Sequence, residues 1–178
     1  MAAAEVVQTF ADIPIVSQRT LILCDIDDTV LYWENHLQDF YMTALQYFPH
    51  AAYNDQITYA KNLQYYYRKS VHPRPIDAEG FDGLLARLSS TSKLEFITAR
   101  ANAVQLTRQD FTNIGINYDN FTTHYVGDSG MSKGGYIQQH IDLYPYDDVI
   151  FIDDNPEYIM SVQFHFPNIR CYQFVRQR

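Results

Sequence analysis

The strongest constraint on how this chain folds lies in residues 21–31, where four apolar residues run directly into three carboxylates. An apolar run of this length, bounded by polar residues, is typical of a buried strand. Carboxylates at its end are costly to bury unless a metal ion, a cationic partner or a substrate compensates for their charge. If the strand ends near Asp25, then Asp25 and Asp27 leave its carboxyl end on the same side, where open α/β sheets bind ligands. The segment therefore predicts a ligand site.

Length and charge limit the classes of function. The chain has 178 residues, which predicts one domain with room for a small insertion. Hydrophobic residues make up 47% of it, which argues against disorder. Its 21 acidic and 13 basic residues give a net charge of −8, which disfavours general binding to nucleic acid or to an anionic membrane. A nucleotide-sized substrate stays compatible with this charge, because a local site can oppose it.

The two cysteines and the N-terminal residues indicate the cellular compartment that we expect for the protein. Cys24 and Cys171 lie in apolar, strand-like runs, which favours a pair of buried, reduced thiols. Residues 1–5 lack a basic region followed by an apolar block, and no apolar stretch reaches the ~18 residues that span a bilayer. We therefore expect a soluble, cytoplasmic protein without a membrane partner, and secretion by an unrecognised signal stays open.

Apolar runs alternate with amphipathic segments along most of the chain. Strands are predicted at 20–26, 93–98, 122–126, 148–152 and 169–175, and helices at 34–48, 55–69, 77–89, 101–114, 133–141 and from Asn155-Pro156 onward. Residues 1–18 are expected to form an arm with a short helix at 5–10, and residues 30–33 a turn. This alternation predicts an α/β fold with a three-layer, Rossmann-like parallel sheet.

One region does not fit a minimal alternation of strands and helices. Two helices in residues 33–75 intervene before the helix that leads to the second core strand. We interpret residues 33–75 as a small helical cap insertion over the carboxyl edge of the sheet, and residues 1–32 and 76–178 as the core. Its many aromatic residues favour packing between two amphipathic helices over a stacking wall for an aromatic leaving group. Its basic residues Arg68, Lys69 and Arg74 are expected on a solvated face, rather than against anionic parts of a substrate.

Four polar clusters share one placement at strand ends or at a helix start. They are Asp25, Asp27 and Asp28 after the first core strand, Thr98 at the end of the second, Lys133 at a helix start, and Asp153 with Asp154 after a later strand. In a parallel sheet these side chains should converge. Four carboxylates from two strands form a hard oxygen cage that suits magnesium. An aspartate can attack phosphorus, and a second carboxylate can move protons. The set therefore predicts phosphoryl transfer.

The same clusters resemble the four motifs of the haloacid dehalogenase-like hydrolase superfamily, in family order and across residues 20–160. Asp25-Ile26-Asp27-Asp28-Thr29 resembles motif I, Asp-x-Asp-x-Thr, of the phosphatase type. Phe96-Ile97-Thr98-Ala99-Arg100 resembles motif II, and Lys133 within Ser132-Lys133-Gly134-Gly135 is similar to motif III. Phe151-Ile152-Asp153-Asp154-Asn155-Pro156 looks like motif IV of the double-aspartate type.

The resemblance implies a role for each matched residue. Asp25 would be the nucleophile and a magnesium ligand. Asp27 would be the general acid and base, and would bind Mg²⁺ through its backbone carbonyl. The phosphate-binding residues would be Thr98 and Lys133, and the magnesium site would be completed by Asp154 and by Asp153, directly or through water. Asp28 is expected to cap the following turn. The resemblance thus implies a magnesium-dependent phosphoric monoester hydrolase that acts on a small metabolite or a nucleotide.

Each cluster also has a simpler interpretation when taken alone. Residues 25–29 could be a capped turn, Asp153 and Asp154 could be charges at a helix N-terminus, Lys133 could be a solvated helix residue, and Thr98 could cap the next helix. Four matched clusters in one order favour the catalytic interpretation.

Two other classes of function are considered beside the phosphatase. A receiver-like regulatory module also combines acidic residues, a hydroxyl and a lysine around magnesium. Receivers, however, lack the Asp-x-Asp-x-Thr run and the 33–75 insertion, and they carry their acidic pair and their phosphoacceptor on different strands. A catalytically silent interaction protein of the same fold is the other alternative, although every expected acid is present. The sequence leaves the substrate and the oligomeric state open.

Overall fold

The computed structural model describes residues 4–101 and 103–176 of the chain. In chain order its strands are β1 (Glu5–Val7), β2 (Thr20–Cys24), β3 (Leu31–Tyr32), β4 (Arg74–Pro75), β5 (Lys93–Thr98), β6 (Thr122–Tyr125), β7 (Asp148–Asp153) and β8 (Arg170–Phe174). Its helices are α1 (Leu37–Tyr47), α2 (Tyr53–Ser70), α3 (Ala78–Ala86), α4 (Val104–Asn113), α5 (Lys133–His140) and α6 (Pro156–His165). Residues 1–3 of the predicted arm, and residue 102 within a predicted helix, lie outside the described residues.

Six of the strands form one parallel sheet in the order β1-β8-β7-β2-β5-β6. Strand β2 lies in its interior, where Ile22 pairs with Leu94 of β5 and with Ile150 of β7. All five residues of β2 are buried, as expected for a strand covered on both faces. The carboxyl ends of β2, β5 and β7 therefore lie side by side at one edge of the sheet.

The two faces of the sheet are covered by different helices, because strand side chains alternate between faces. Ile22 and Cys24 of β2 belong to a core that includes Phe81 of α3 and Phe111 of α4. The neighbouring β2 residues Leu21 and Leu23 belong to a second core, which includes Ile137 of α5 and the α6 residues Ile159 and Val162. The helix–sheet–helix arrangement confirms the predicted three-layer, Rossmann-like α/β fold.

The N-terminal arm differs from the prediction. Residues 5–7 form the edge strand β1, parallel to β8, and not the start of a helix. A short 3₁₀ turn, Phe10–Asp12, follows it, and the Thr9 side chain accepts a hydrogen bond from the Ala11 N–H at its start. The Phe10 ring packs 5.3 Å from that of Phe81 and 4.8 Å from that of Phe174. The β-branched pair Val6-Val7 thus extends the sheet. Its strand conformation depends on pairing with β8, which is distant in sequence.

A small antiparallel ribbon joins the two ends of the segment 33–75, which was predicted to be an insertion. Leu31 pairs with Pro75 and Tyr32 with Arg74, so residues 31–32 form a strand and not the expected turn. Helices α1 and α2 pack on each other through aromatic rings, with centroids 5.3 Å apart for Phe40 and Tyr67, 5.8 Å for Tyr41 and Tyr53, and 4.8 Å for Phe48 and Tyr59. The contacts agree with packing between amphipathic helices. The division of the chain into core and cap stays a prediction.

No helix within the described ranges is long and apolar enough to cross a membrane.

The cysteines are buried and unpaired, as the sequence predicts. Burial raises the pKa of the Cys24 thiol well above its ordinary value and raises that of Cys171 to about 12. Both thiols are therefore protonated at pH 8, and a protonated thiol is a poor nucleophile. We expect neither to react with a disulfide reagent in the native protein, and both to react in guanidinium chloride, as measured by the release of the coloured thiolate. Stoichiometric labelling of the native protein would contradict this prediction.

Candidate active site

The loop after β2 sets the direction of the motif I side chains. The Asp25 N–H still donates to the Ile152 carbonyl oxygen at 2.9 Å, so Asp25 is fixed to the sheet edge. Two hydrogen bonds, from Asp28 N–H to Leu31 oxygen at 2.7 Å and from Leu31 N–H to Ile26 oxygen at 2.9 Å, then close a tight turn. Asp28 adopts a φ of 64°, which aspartate tolerates better than most residues. The sequence analysis expected Asp28 to cap the turn that follows. In the structure Asp28 lies within the turn, and its carboxylate contacts His36 Nδ1 at 3.2 Å.

Three carboxylates meet at the junction of β2 and β7. Asp25, Asp153 and Asp154 each offer an oxygen, and these atoms all lie within 4.8 Å of one another. The pairing of β2 with β7 brings the two acidic segments together. The Asp154 N–H donates to Thr29 Oγ1 at 3.1 Å, and the Asn155 N–H donates to Asp153 Oδ1 at 2.9 Å. These bonds fix the acidic pair before α6 begins.

Lys133 lies beneath this cluster and is completely buried. Its Nζ lies 2.5 Å from Asp25 Oδ1 and 2.7 Å from Asp153 Oδ2. Burial alone would lower the pKa of Lys133, but the two carboxylates outweigh burial and raise it, so the ammonium stays charged. The interpretation of Lys133 as a solvated helix residue is wrong.

The position of Lys133 depends on a close approach of α5 to α6. A Cβ on Gly134 would lie 2.3 Å from the Ser161 backbone oxygen, so only glycine fits at this contact. The Ser132 side chain caps the helix by accepting a hydrogen bond from the Gly135 N–H. The Ser-Lys-Gly-Gly sequence thus brings a lysine to the acidic cluster.

A cavity of about 540 Å³ opens above the acidic cluster. Asp25, Asp27, Thr98 and Asp154 all line it, whereas Lys133 and Asp153 lie below its surface. The Thr98 hydroxyl accepts the Arg100 N–H at 3.2 Å, so it also organises the loop that follows β5. The structure therefore brings together all six residues that the sequence analysis singled out, four at the cavity wall and two behind it.

Asp27 is held by cations and not by the acidic cluster. Arg100 binds it through two hydrogen bonds, from Nε at 2.8 Å and from a terminal nitrogen at 2.7 Å. Trp33 Nε1 donates to it at 3.0 Å, and an Arg68 nitrogen lies 3.3 Å away. Burial would raise the pKa of Asp27, but the Arg100 ion pair outweighs burial and holds that pKa well below its usual range. Arg100 is itself positioned by Asp110 at 2.8 Å.

The acidic cluster carries a surplus of negative charge. Burial raises the pKa of Asp25 to about 7, against the opposing effect of Lys133. Burial also raises the pKa of Asp154 to about 7, and the nearby carboxylates of Asp25 and Asp28 add to this shift. One ammonium group thus does not offset three carboxylates. A close set of carboxylate oxygens is the donor type that Mg²⁺ takes, so these three aspartates could hold a metal ion.

No family model matches the chain, and no curated protein sequence matches it. The comparison with solved structures finds a distant neighbour in one chain of the structure described as "Structure of Pnkp1/Rnl/Hen1 complex". That chain is 17% identical, the match covers 99% of the present chain and 53% of that chain, and the TM-score is 0.46. The chain thus spans about half the length of this neighbour. At this level of similarity the neighbour carries no argument about chemistry.

Three site residues escaped the sequence analysis. Arg100 was part of the motif II segment but was given no role of its own, Trp33 was counted only among the packing aromatic residues of 33–75, and Arg68 was expected on a solvated face. The Arg68 side chain is only 16% exposed and contacts Asp27, so that expectation is wrong. The signal for Arg100 was its position two residues after Thr98, at the same strand end. The tyrosines of residues 33–75 do not line the cavity within the described part of the chain, and the tyrosine that does so is Tyr158 of α6. This agrees with the preference for packing over a stacking wall.

Burial of the acidic cluster, with repulsion between its carboxylates, predicts a pH-dependent stability without metal. The folded-state pKa of Asp154, about 7, exceeds its ordinary value of 3.8. Between these values the folded protein binds more protons than the unfolded chain, so in EDTA the free energy of unfolding falls as the pH rises. We expect Asp154→Asn to remove part of this fall and to raise stability in EDTA at pH 8 by about 1 kcal/mol. Urea unfolding across pH 4–8 measures it.

Magnesium provides the second half of that test. Millimolar Mg²⁺ should raise the Tm of the wild type by several degrees, on the order of 2–4 °C per kcal/mol of binding free energy, and should raise that of Asp154→Asn much less. Glu157→Gln, an exposed acid in the first turn of α6, is the matched control and should respond like the wild type. Equal Tm values in Mg²⁺ and EDTA for the wild type would contradict a metal site.

Arg100 should be a major contributor to stability. Arg100→Met leaves Asp27 and Asp110 without their principal cation, and breaking a buried pair on one side costs about 3–5 kcal/mol. Arg108→Met, on the same helix as Asp110, breaks an exposed pair with Asp119 and a contact over the Tyr118 ring, and should cost about 1 kcal/mol. Urea denaturation compares the two variants, and a similar loss for both would refute the assigned role of Arg100.

Proposed function

We propose that the chain is a magnesium-dependent phosphatase of the haloacid dehalogenase-like type, which hydrolyses a phosphomonoester of a small metabolite or a nucleotide. One observation carries the proposal. Asp25 contacts a buried lysine, lies within a cluster of three carboxylates, and faces the same cavity as Asp27 and Thr98. The resemblance of the four sequence motifs to that superfamily supports the same assignment.

Asp25, Asp153 and Asp154 would hold Mg²⁺ in this proposal, with the backbone carbonyl of Asp27 as the further ligand implied by the family resemblance. The bound ion would supply positive charge against the phosphoryl oxygens. Lys133 would hold the Asp25 carboxylate in one orientation through its 2.5 Å contact, with its charge close to the reacting centre. The Thr98 hydroxyl would donate to a phosphoryl oxygen from the cavity wall.

The reaction would proceed in two displacements. An Asp25 oxygen attacks phosphorus, the ester P–O bond breaks, and the leaving oxygen takes up a proton from the Asp27 carboxyl group. The product is an aspartyl-phosphate and a free alcohol. Water then attacks phosphorus, loses a proton to Asp27, and breaks the P–O bond to Asp25. Inorganic phosphate leaves, and the Asp25 carboxylate is restored.

The contacts of Asp27 bear on how it would perform both roles. Held by Arg100 and Arg68, it is a carboxylate, which is the form needed to accept a proton from water. Its role as acid in the first step requires a proton on this carboxylate. A bound phosphate dianion would supply the electrostatic change, because its negative charge offsets the two guanidinium groups and raises the pKa of Asp27.

Hydrolysis of a generic aryl phosphate tests the proposal. We expect the wild type to release phosphate only with Mg²⁺, and Asp25→Asn to lose at least about 10³-fold in kcat because it lacks the nucleophile. Glu157→Gln serves as the control and should keep wild-type activity. Equal, magnesium-independent hydrolysis by wild type and Asp25→Asn would overturn the mechanism.

Two outcomes would favour the other classes of function. Stable phosphorylation by acetyl phosphate, without turnover, would favour a receiver-like module. Magnesium binding without hydrolysis of any compound in a panel of phosphorylated metabolites would favour a silent interaction protein. For the phosphatase, Asp27→Asn should slow the second displacement, and mass spectrometry should then detect a phosphoryl group on Asp25.

A further inference from the structure

Helix α2 presents a row of three polar side chains to the cavity. Lys61, Gln64 and Arg68 all line the same 540 Å³ space as Asp25 and Thr98. Their spacing of three and four residues places them on one face of the helix. The proposed chemistry uses Arg68 through its contact with Asp27, but it has no need of Lys61 or Gln64.

Lys61 is exposed and Gln64 is half-buried, and both side chains are available to a ligand. Within residues 4–101 and 103–176 neither side chain makes a hydrogen bond or an ion pair, whereas Arg68 contacts Asp27 at 3.3 Å and lies 4.7 Å over the Trp33 ring. An ammonium group offers three donors and an amide offers two. The part of the cavity lining that α2 provides therefore carries hydrogen-bond donors and a positive charge that no group among the described residues uses.

The distribution of charge points the same way. Residues 33–75 contain four basic and three acidic residues, whereas the rest of the chain contains nine basic and eighteen acidic residues. The core side of the cavity is lined by Asp25, Asp27, Asp28 and Asp154. Positive charge on α2 is thus local, and it lines the same cavity as these four carboxylates.

The size of the cavity leaves room for more than the reacting group. Ligand pockets usually measure about 300–1,000 Å³, and this cavity falls within that range. A phosphoryl group at Asp25 would occupy the acidic end only. The rest of the cavity, which Lys61 and Gln64 help to line, is then available to the leaving group.

We propose that Lys61 and Gln64 form a second anion subsite, and that the substrate is a phosphomonoester whose leaving group carries a further anionic group, a second phosphate or a carboxylate. This inference rests on the proposed function for the position of the first phosphate. A neutral leaving group would leave the Lys61 ammonium unmatched, and an anionic one would gain charge-assisted hydrogen bonds there. The subsite would therefore distinguish between phosphomonoesters that react identically at Asp25.

Equilibrium binding of non-hydrolysable ligands tests the subsite directly. Calorimetry in Mg²⁺ would compare linear alkyl monophosphonates with alkane-α,ω-bisphosphonates and ω-phosphonocarboxylates of three to about eight carbons. For the wild type we expect at least one doubly anionic ligand to bind about tenfold or more tightly than the matched monophosphonate. The preferred chain length would report the spacing of the two sites, and the two ligand series would distinguish phosphate from carboxylate.

Variants on α2 identify the residues responsible. Lys61→Gln should lose most of this preference, Gln64→Ala should lose part of it, and both should bind the monophosphonate like the wild type. Lys69→Gln is the matched control, since Lys69 lies on the same helix but over the Tyr65 ring and outside the cavity lining. Equal affinity of the wild type for singly and doubly anionic ligands would overturn the subsite, as would an equal loss in Lys69→Gln and Lys61→Gln.

The two proposals fail in different ways. If the wild type hydrolyses no phosphomonoester but binds doubly anionic ligands in a Lys61-dependent manner, the phosphatase proposal fails and the subsite stands. If aryl phosphate is hydrolysed through Asp25 but the doubly anionic preference is absent, the subsite fails and the phosphatase proposal stands.

Discussion

Electrostatic repulsion between carboxylates at the ends of β2 and β7 is the constraint that organises this protein. Parallel pairing of the two strands places Asp25 beside Asp153 and Asp154, and nothing in the sheet itself compensates for their charge. Compensation comes from Lys133, which reaches the cluster only because Gly134 lets α5 approach α6 closely. One cation against three anions is an incomplete balance, so further positive charge, such as a metal ion, would stabilise the cluster.

A second electrostatic network connects the insertion to the core. Arg100 joins Asp27 to Asp110 of α4, while Arg68 and Trp33 reach the same carboxylate from residues 33–75. The two environments shift the pKa values of carboxylates only two residues apart in opposite directions. Burial raises the pKa of Asp25, whereas the arginines lower that of Asp27. Different electrostatic environments can thus give neighbouring aspartates different chemical roles.

Local patterns in the sequence predicted most of the fold, and long-range pairings account for what they missed. The strand at 93–98 and the capped start of α6 were predicted correctly, because apolar runs and cap residues are local signals. The edge strand β1 was missed, since three residues become a strand only when β8 is beside them. The carboxylate cluster was predictable from strand ends, but the contact of Arg68 with Asp27 joins residues 41 positions apart and has no local pattern.

The division of charge between core and insertion has a consequence for selectivity. In the proposed phosphatase, Asp25, Lys133 and Thr98 would respond to the phosphoryl group, which is the same in every phosphomonoester, so they would not distinguish one leaving group from another. Discrimination must come from side chains that the leaving group touches. Lys61 and Gln64 of α2 line the same cavity as Asp25, and neither side chain has a partner within the part of the chain that the structure describes. Substitutions there can change the preferred substrate without altering the electrostatic balance of the carboxylate cluster.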